Sequence, residues 1–445
     1  MAELGDPELE HALDARDLSA LRAALATRSP LSIARVLDRA DTADRAVLYR
    51  LLSREAALEV FGILDVGMRA DLFRGLRSED VARVFEELDP DDRAQLLDEL
   101  PAGQATALMR DLSPDERDLT ASLLGYPRRS VGRRMTPEFV RLDAQLTVGD
   151  ALTQIGHHGE RAETVYSLPV TDRERRLLGA VSLRDLVLGS PGRLITEVMH
   201  PALVAHTADG AEEAARRLVA ARVLALSVVD AEHRVVGMLP VGDALRILDE
   251  ADDEDAARQG ASEPLGLAYL ATPVLRIVRS RVVWLLVLAV SALLTVQVLS
   301  AFEDTLAQVV TLALFIPLLT GTAGNTGAQA ATTVTRALAT GEVTTRDALA
   351  VAGREVRVGA ALGTLLGGLG FVLAAIVYDI PLAAVIAVTL LAVCTLAATV
   401  GGVMPIIAKR LHADPAVFST PFISTFCDAT SLIIYFLVAT WLLGL

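Results

Sequence analysis

Cysteine is nearly absent from this 445-residue chain. The two that occur, Cys394 and Cys427, lie in apolar stretches, so no disulfide framework holds the fold. A basic excess is missing as well: 56 Asp and Glu face 41 Lys and Arg, and the isoelectric point is near 5.0. Phosphate binding needs a basic face, which argues against nucleic acid as partner, whereas an acidic surface suits cations. The segment MAELGDPELEHALDARD has neither an apolar core nor a basic flank. It does not read as a signal peptide, and residue 1 is expected in the cytoplasm.

Apolar residues, by contrast, are abundant: 52% of the chain, with mean hydropathy +0.43. Charge is unevenly placed. Residues 272–445 carry 8 acids and 9 bases, residues 1–271 carry 48 and 32, so the formal charge of −15 belongs to the N-terminal part. An acidic soluble part precedes an apolar, membrane-like part, within a length that allows about two to four domains.

The first part repeats. Leu52, Leu64, Leu76, Leu88, Leu100, Leu112 and Leu124 recur every twelve positions, several followed by turns such as Leu88-Asp89-Pro90-Asp91-Asp92-Arg93, Leu100-Pro101-Ala102 and Leu112-Ser113-Pro114-Asp115-Glu116. Asp or Ser as N-cap, Pro at the first helical position and acids in the first turn start helices. Each unit is expected to be one short helix and a turn, stacked on its neighbours in an α-helical superhelix. Most of the acids then belong to a scaffold surface, and a minority face a neighbouring domain and bind cations.

After Gly125-Tyr126-Pro127 the pattern changes to short β runs with helices. Met135-Thr136-Pro137 opens a unit that ends Leu178-Gly179-Ala180-Val181-Ser182-Leu183-Arg184-Asp185; Met199-His200-Pro201 opens another that ends Val236-Gly237-Met238-Leu239-Pro240-Val241-Gly242-Asp243. The two units resemble a tandem pair of CBS domains, an α/β module that commonly binds adenine nucleotides or senses ions. The acidic run Asp249 to Asp255 leads on by a helical stretch to five apolar segments, at about 282–302, 306–338, 356–378, 381–407 and 417–443, each near the roughly 20 residues that span a bilayer. All nine bases of this region flank the segments on one side, and Glu303, Asp304 and Asp379 lie on the other. By the positive-inside rule the N-terminal domains are cytoplasmic and the C-terminus is outside.

Asp428 falls at mid-depth of the last segment, where a carboxylate costs on the order of 3 kcal/mol and is expected to face a bundle interior or a water-filled path. No base lies near the middle of another segment to pair with it, so the acid attracts cations. In the second segment Pro317, Gly321, Gly324 and Gly327 are expected to loosen the helix, allowing close packing or freeing carbonyls. Asn325 and Gln329 place amide oxygens on one face. Oxygen donors without thiolate or membrane histidine select a hard cation such as Mg²⁺.

At these residues the chain resembles the MgtE family of magnesium channels. The order of parts matches, and so do Gly-Asn-Thr-Gly-Ala-Gln at 324–329, Arg336-Ala337-Leu338-Ala339-Thr340-Gly341 and the Asp428 segment. The resemblance implies a helical N domain at 1–128, CBS domains at 129–194 and 195–248, an acidic connecting (plug) helix at 249–280 and a five-helix transmembrane pore domain at 281–445. It implies a homodimeric, multi-pass protein of the cell membrane that takes up Mg²⁺ down its electrochemical gradient and is no enzyme. Asp428 matches the ion-site carboxylate; Gly321, Gly324 and Thr332 match pore-lining positions beside Asn325, and Ser424 offers its backbone carbonyl. Ala328 falls where some members have a second asparagine. Glu212, Asp243, Glu254, Asp255 and Asp414 match positions that bind regulatory Mg²⁺ and close the pore. Arg222 and Arg246 stand where members can carry aspartates, either replacing an ion with a fixed cation or abolishing the site, and Ala251 loses a carboxylate. Arg184 and Asp185 match ribose and phosphate contacts of ATP, though the aromatic expected near Val223 is absent and Asp185 reads equally as a helix N-cap. A membrane-anchored CBS sensor without conduction and an ion-coupled divalent-cation carrier are the alternatives.

Overall fold

The computed structural model describes residues 7–15, 17–76, 78–265, 269, 272–411 and 420–445. Two compact units divide the chain. One comprises Met1–Asp252 with Leu265–Pro273, the other Asp253–Pro264 with Val274–Leu445.

The first unit begins with ten short helices: α1 (Pro7–Asp14), α2 (Leu18–Ala26), α3 (Pro30–Arg39), α4 (Thr42–Arg50), α5 (Arg54–Ile63), α6 (Val66–Gly75), α7 (Ser78–Glu87), α8 (Pro90–Glu99), α9 (Ala102–Asp111) and α10 (Pro114–Leu124). From α5 onward one helix occupies each twelve-residue unit. Leu64, Leu76, Leu100 and Leu112 of the repeat sit at the C-caps and join one continuous apolar core. Ser113 caps α10 through the Glu116 amide, as expected. Two other caps differ. Asp89 makes no side-chain cap bond, its carboxyl lying within electrostatic reach of Asp92 and Arg93, and Pro101 itself takes the N-cap of α9, where it has no side-chain oxygen to offer.

A second repeat runs through this superhelix. Arg45, Arg69, Arg93 and Arg117 occupy the fourth position of α4, α6, α8 and α10, and the first three are almost wholly buried. Each Nε donates to a preceding carbonyl: Leu37, Leu64, Phe85 and Met109 in turn. The guanidinium then reaches an acid of a later helix: Arg45 to Asp71 (2.5 Å), Arg69 to Asp92 (2.8 Å), Arg93 to Glu116 (3.2 Å). Burying these cations is tolerable because each is both paired and hydrogen-bonded.

A short helix α11 (Val131–Arg134) leads into two three-stranded sheets. In the first, β1 (Leu142–Asp143) runs parallel to β2 (Ser167–Thr171), which pairs antiparallel with β3 (Leu177–Ser182); in the second, β4 (Val204–His206), β5 (Ala225–Val229) and β6 (Val235–Pro240) repeat that order. Helices α12 (Val148–His158), α13 (Leu183–Leu188), α14 (Ala211–Ala221) and α15 (Val241–Gln259) complete the pair. The openers are exchanged between the sheets. Thr136 bridges to Met238 of the second sheet, His200 to Ala180 of the first. A Cβ on Gly237 would come within 2.8 Å of the Thr136 carbonyl, and one on Gly179 within 2.8 Å of the His200 carbonyl, so these glycines admit the exchanged segments. Helix α15 continues unbroken through the acidic run, Asp249 to Asp255.

The second unit holds α16 (Val274–Ala301), α17 (Glu303–Gln308), a 3₁₀ stretch at Val310–Phe315, α18 (Ile316–Ala339), α19 (Ala348–Val377), α20 (Ile380–Arg410) and α21 (Thr420–Leu443). Among the described residues four helices, α16, α19, α20 and α21, are long and apolar enough to cross a membrane. Helix α18 falls short of that measure because of its polar face. The second segment also differs from expectation: Pro317 opens α18 rather than interrupting it, since its missing N–H is free of cost in the first turn, and the helix runs continuously past Gly321, Gly324 and Gly327. The break precedes it, at the 3₁₀ stretch, which the Tyr435 hydroxyl pins by donating to the Leu312 carbonyl. Small residues seat the helices closely. Gly359, Gly363 and Gly367 line up on α19 against the α20 backbone, and Gly327 of α18 meets Gly401 of α20.

Candidate functional site

Two places carry the chemistry, one in each unit. In the second unit, Ser424 and Asp428 are one turn apart on α21 and both face Gly324. A Cβ on that glycine would collide with Ser424 Oγ and lie 3.6 Å from Asp428 Oδ1. The absent side chain therefore lets the carboxylate lie against α18. Among the described residues no ion pair or hydrogen bond engages this carboxylate; its backbone carbonyl accepts from Ser431 Oγ. Gly321, Asn325, Ala328 and Thr332 recur at helical spacing on another face of α18. Asn325, Ala328, Gln329, Thr332 and Thr333 line an open depression of about 400 Å³. Gly324 is thus set apart from Gly321 and Asn325, on the face that it shares with Gly327 and that turns to α21. Thr333 was not singled out from sequence; its spacing from Gln329 was the available signal.

In the first unit, Asp91, Glu163 and Asp243 bring carboxylate oxygens within 4.8 Å of one another. Asp91 belongs to the first turn of α8, Asp243 to the first turn of α15, and Glu163 to the loop before β2. Both helix N-termini favour negative charge there. Asp91 is 2% exposed and Asp243 8%, and Asp91 Oδ1 and Asp243 Oδ2 are buried without a hydrogen-bond partner. Burial, then the Asp92 charge, raises Asp91 well above the usual carboxylate range; burial raises Asp243 too, against the pull of Arg246. Glu163 is exposed as a residue, but loss of water around its carboxyl and the Asp243 charge push it up to about 8. The raised carboxyl favours its protonated form beside Asp243. Three converging carboxylates, two of them with a buried unpartnered oxygen, fit a hard divalent cation. Sequence alone assigned only Asp243 here; the Asp89-Pro90-Asp91-Asp92 turn offered a signal but was fully accounted for as a helix start.

Arg246 lies one turn beyond Asp243. Its Nη2 donates to Asp243 Oδ1 at 2.6 Å and lies 4.0 Å from Asp91 Oδ2, and Nη1 is 3.2 Å from Asp92 Oδ1. Although burial opposes its charge, these acids hold the guanidinium protonated.

The other predicted residues are dispersed. Glu212 on α14 pairs with Arg216 (2.9 Å), which also approaches Asp252 (3.6 Å). Glu254 pairs with Arg258 on α15, and Asp255 follows it there. Asp414 lies outside the described residues. Arg222 is exposed at the C-cap of α14 with a left-handed φ of 56°, remote in role from Arg246. Arg184 is exposed on α13. Asp185 is not the N-cap of that helix: Ser182 is, and Asp185, three residues on, accepts from Ser182 Oγ at 2.6 Å with His200 Nε2 at 3.6 Å.

Comparison with known proteins agrees along the chain. The family model described as a divalent cation transporter matches residues 316–438, that of the MgtE intracellular N domain residues 28–129, and that of the CBS domain residues 129–190 and 195–250. The chain is 37% identical to the magnesium transporter MgtE of Thermus thermophilus over 72% of each chain, and 32% identical to that of Enterococcus faecalis over 72% of this chain and 70% of that one. The crystal structure of the cytosolic domain of the Mg²⁺ channel MgtE in complex with ATP is similar at a TM-score of 0.51 and 32% identity, covering 54% of this chain and 99% of that one.

Proposed function

The chain belongs to the MgtE family of magnesium transporters, and we propose that it is a homodimeric Mg²⁺ channel of the cell membrane, closed by cytosolic Mg²⁺. It is a multi-pass membrane protein. The single observation that carries the reading is Asp428: a carboxylate among apolar helices, lodged in the gap left by Gly324, with no base paired to it among the described residues. A mid-membrane acid that merely held helices together would be paired. A hydrated divalent ion supplies the missing charge, and since Mg²⁺ dehydrates reluctantly, oxygens touching its waters suffice. Asp428, Ser424, Asn325, Thr332, Gly321 and Gly324 are assigned to this path. The stripe of exposed Gly321, Asn325 and Thr332 with half-buried Ala328 is the face proposed to meet a second copy, which would bring two Asp428 carboxylates to one axis.

In this reading the bases flanking the segments keep residues 1–271 in the cytoplasm and put the C-terminus outside. The Asp91, Glu163 and Asp243 cluster is the regulatory site best supported by geometry, with Glu212, Glu254, Asp255 and Asp414 as further acids of the sensor. Ion binding there favours the closed form through its tighter affinity for it. ATP is assigned to Arg184 and Asp185, weakly, because Val223 offers the base no aromatic face. Purified protein in liposomes tests the proposal. An inside-negative voltage gives a divalent ion about 4.6 kcal/mol per 100 mV, twice the single-charge figure, so uptake is expected from voltage alone; uptake that needs a proton or sodium gradient would make it a coupled carrier, and none at all would leave a membrane-anchored sensor.

A further inference from the structure

Helix α8 is gripped at both ends by arginines that come from the CBS pair. Near its start, Arg246 of α15 reaches Asp92 at 3.2 Å and lies 4.0 Å from Asp91 while bonded to Asp243 at 2.6 Å. Near its end, Arg133 of α11 holds Asp98 at 2.6 Å and donates to the Leu123 carbonyl at 3.1 Å. Asp92 is itself fixed from behind by Arg69, whose other nitrogens are anchored on the Leu64 and Gly62 carbonyls. Acids that would repel across this junction are therefore joined by cations that cannot diffuse away.

We propose that Arg246 is a built-in clamp, doing permanently between α8 and α15 what a second divalent ion would do, so that the helical N domain stays docked on the second CBS domain without Mg²⁺. A guanidinium cannot be deprotonated in a protein and is covalently tethered, so its occupancy of the junction does not depend on ion concentration. Its planar fork also spans acids on two helices at once, as it does here. One ion is then left to bind, at the oxygens of Asp91, Glu163 and Asp243 that the arginine does not reach, and binding it tightens a junction already formed instead of assembling one. This deepens the gating reading above and rests on it only for its consequence in transport.

Double electron–electron resonance on full-length protein in lipid nanodiscs, spin-diluted with unlabelled protein, tests the clamp. Nitroxides on Thr106→Cys of α9 and Glu213→Cys of α14 are both at exposed positions, and the native Cys394 and Cys427 are buried. The same narrow distance population is expected in EDTA and in millimolar Mg²⁺. Arg246→Ala should lose that population in EDTA and regain it in Mg²⁺, which also shows that the variant is folded; Arg246→Lys, which keeps the charge, should retain most of it. A wild-type distribution that broadens in EDTA overturns the proposal, whatever the variants do. So does an Arg246→Ala distribution that stays narrow there. Because the readout is a distance and not a flux, the clamp can fail in a protein that transports Mg²⁺, and hold in one that does not.

Discussion

Replacing Asp91 by Asn should leave the cytoplasmic part folded but remove most of its stabilisation by Mg²⁺. Two ionised carboxylates whose oxygens lie within 4.8 Å repel by about 3.5 kcal/mol or more at an effective dielectric near 20. Burial and the neighbouring Asp92 charge oppose ionisation of Asp91 further. Arg246, 4.0 Å from Asp91, returns an attraction of about 4 kcal/mol by the same measure. Repulsion and burial together at least offset that attraction, so Asp91→Asn should not destabilise the ion-free form. Mg²⁺ binding is another matter. At a hundred times its dissociation constant an ion adds about 2.7 kcal/mol, and a roughly hundredfold loss of affinity reduces that to about 0.4 kcal/mol. Loss of a supporting group alone costs a metal site up to about that factor. Hydrogen exchange at the amides of α8, on the full-length protein with and without Mg²⁺, reads the difference directly. Equal protection of Asp91→Asn and wild type by Mg²⁺ would refute the assignment of the cluster as an ion site.

The same cluster predicts a pH dependence. Glu163 is raised from 4.5 to about 8 in the fold, so between those values the folded chain holds a proton that the unfolded chain releases; the contribution of this group to ion-free stability is fully present below pH 4.5 and is lost as pH rises through 8. Mg²⁺ must displace that proton, and its apparent affinity, read by calorimetric titration, should climb by up to about tenfold per unit as pH approaches 8 and level off above it. Gly359→Val should loosen the membrane helices by about 1–3 kcal/mol, because a Cβ there would come within 2.6 Å of the Cys394 carbonyl; thermal unfolding in detergent measures it, and an unchanged midpoint would mean that α19 does not pack on α20 as described. Arg69→Ala strands the carbonyls of Leu64 and Gly62 and leaves Asp92 to Arg246 alone, and should cost at least about 2 kcal/mol in the N domain. Denaturant unfolding followed by circular dichroism would show this, and a loss below about 1 kcal/mol would make the arginine ladder incidental.

Much of the architecture is legible in the sequence because it is periodic. Leucines twelve apart give the superhelix, and the two Gly-plus-Asp strand endings give the CBS pair. Asp428 stands out because nothing around it is charged. The arginine ladder was hidden by its chemistry: an arginine on a short amphipathic helix reads as solvated until the acid of a later helix is seen to meet it. Asp91 was hidden for a different reason, since a first-turn acid is already explained by the helix it begins, and its partners lie far away in sequence. The exchange of Met135-Thr136-Pro137 and Met199-His200-Pro201 between sheets is likewise invisible, because either pairing leaves the same repeat. Pro317 was misplaced by one turn's worth of context: a proline marks a helix start as readily as a kink, and only the 3₁₀ stretch before it decides between them. Gly321 and Gly324 look equivalent in a glycine-rich run, yet three residues of helical rotation turn them to different neighbours.

The central claim is that Mg²⁺ passes the membrane at Asp428. Influx of Mg²⁺ into liposomes under an inside-negative voltage, compared between wild type and Asp428→Ala at equal reconstituted protein, tests it most directly. Removing a mid-membrane acid imposes no insertion penalty, since the acid itself opposed insertion by on the order of 3 kcal/mol, so the variant should reconstitute normally and conduct nothing. Wild-type influx through Asp428→Ala would contradict the account.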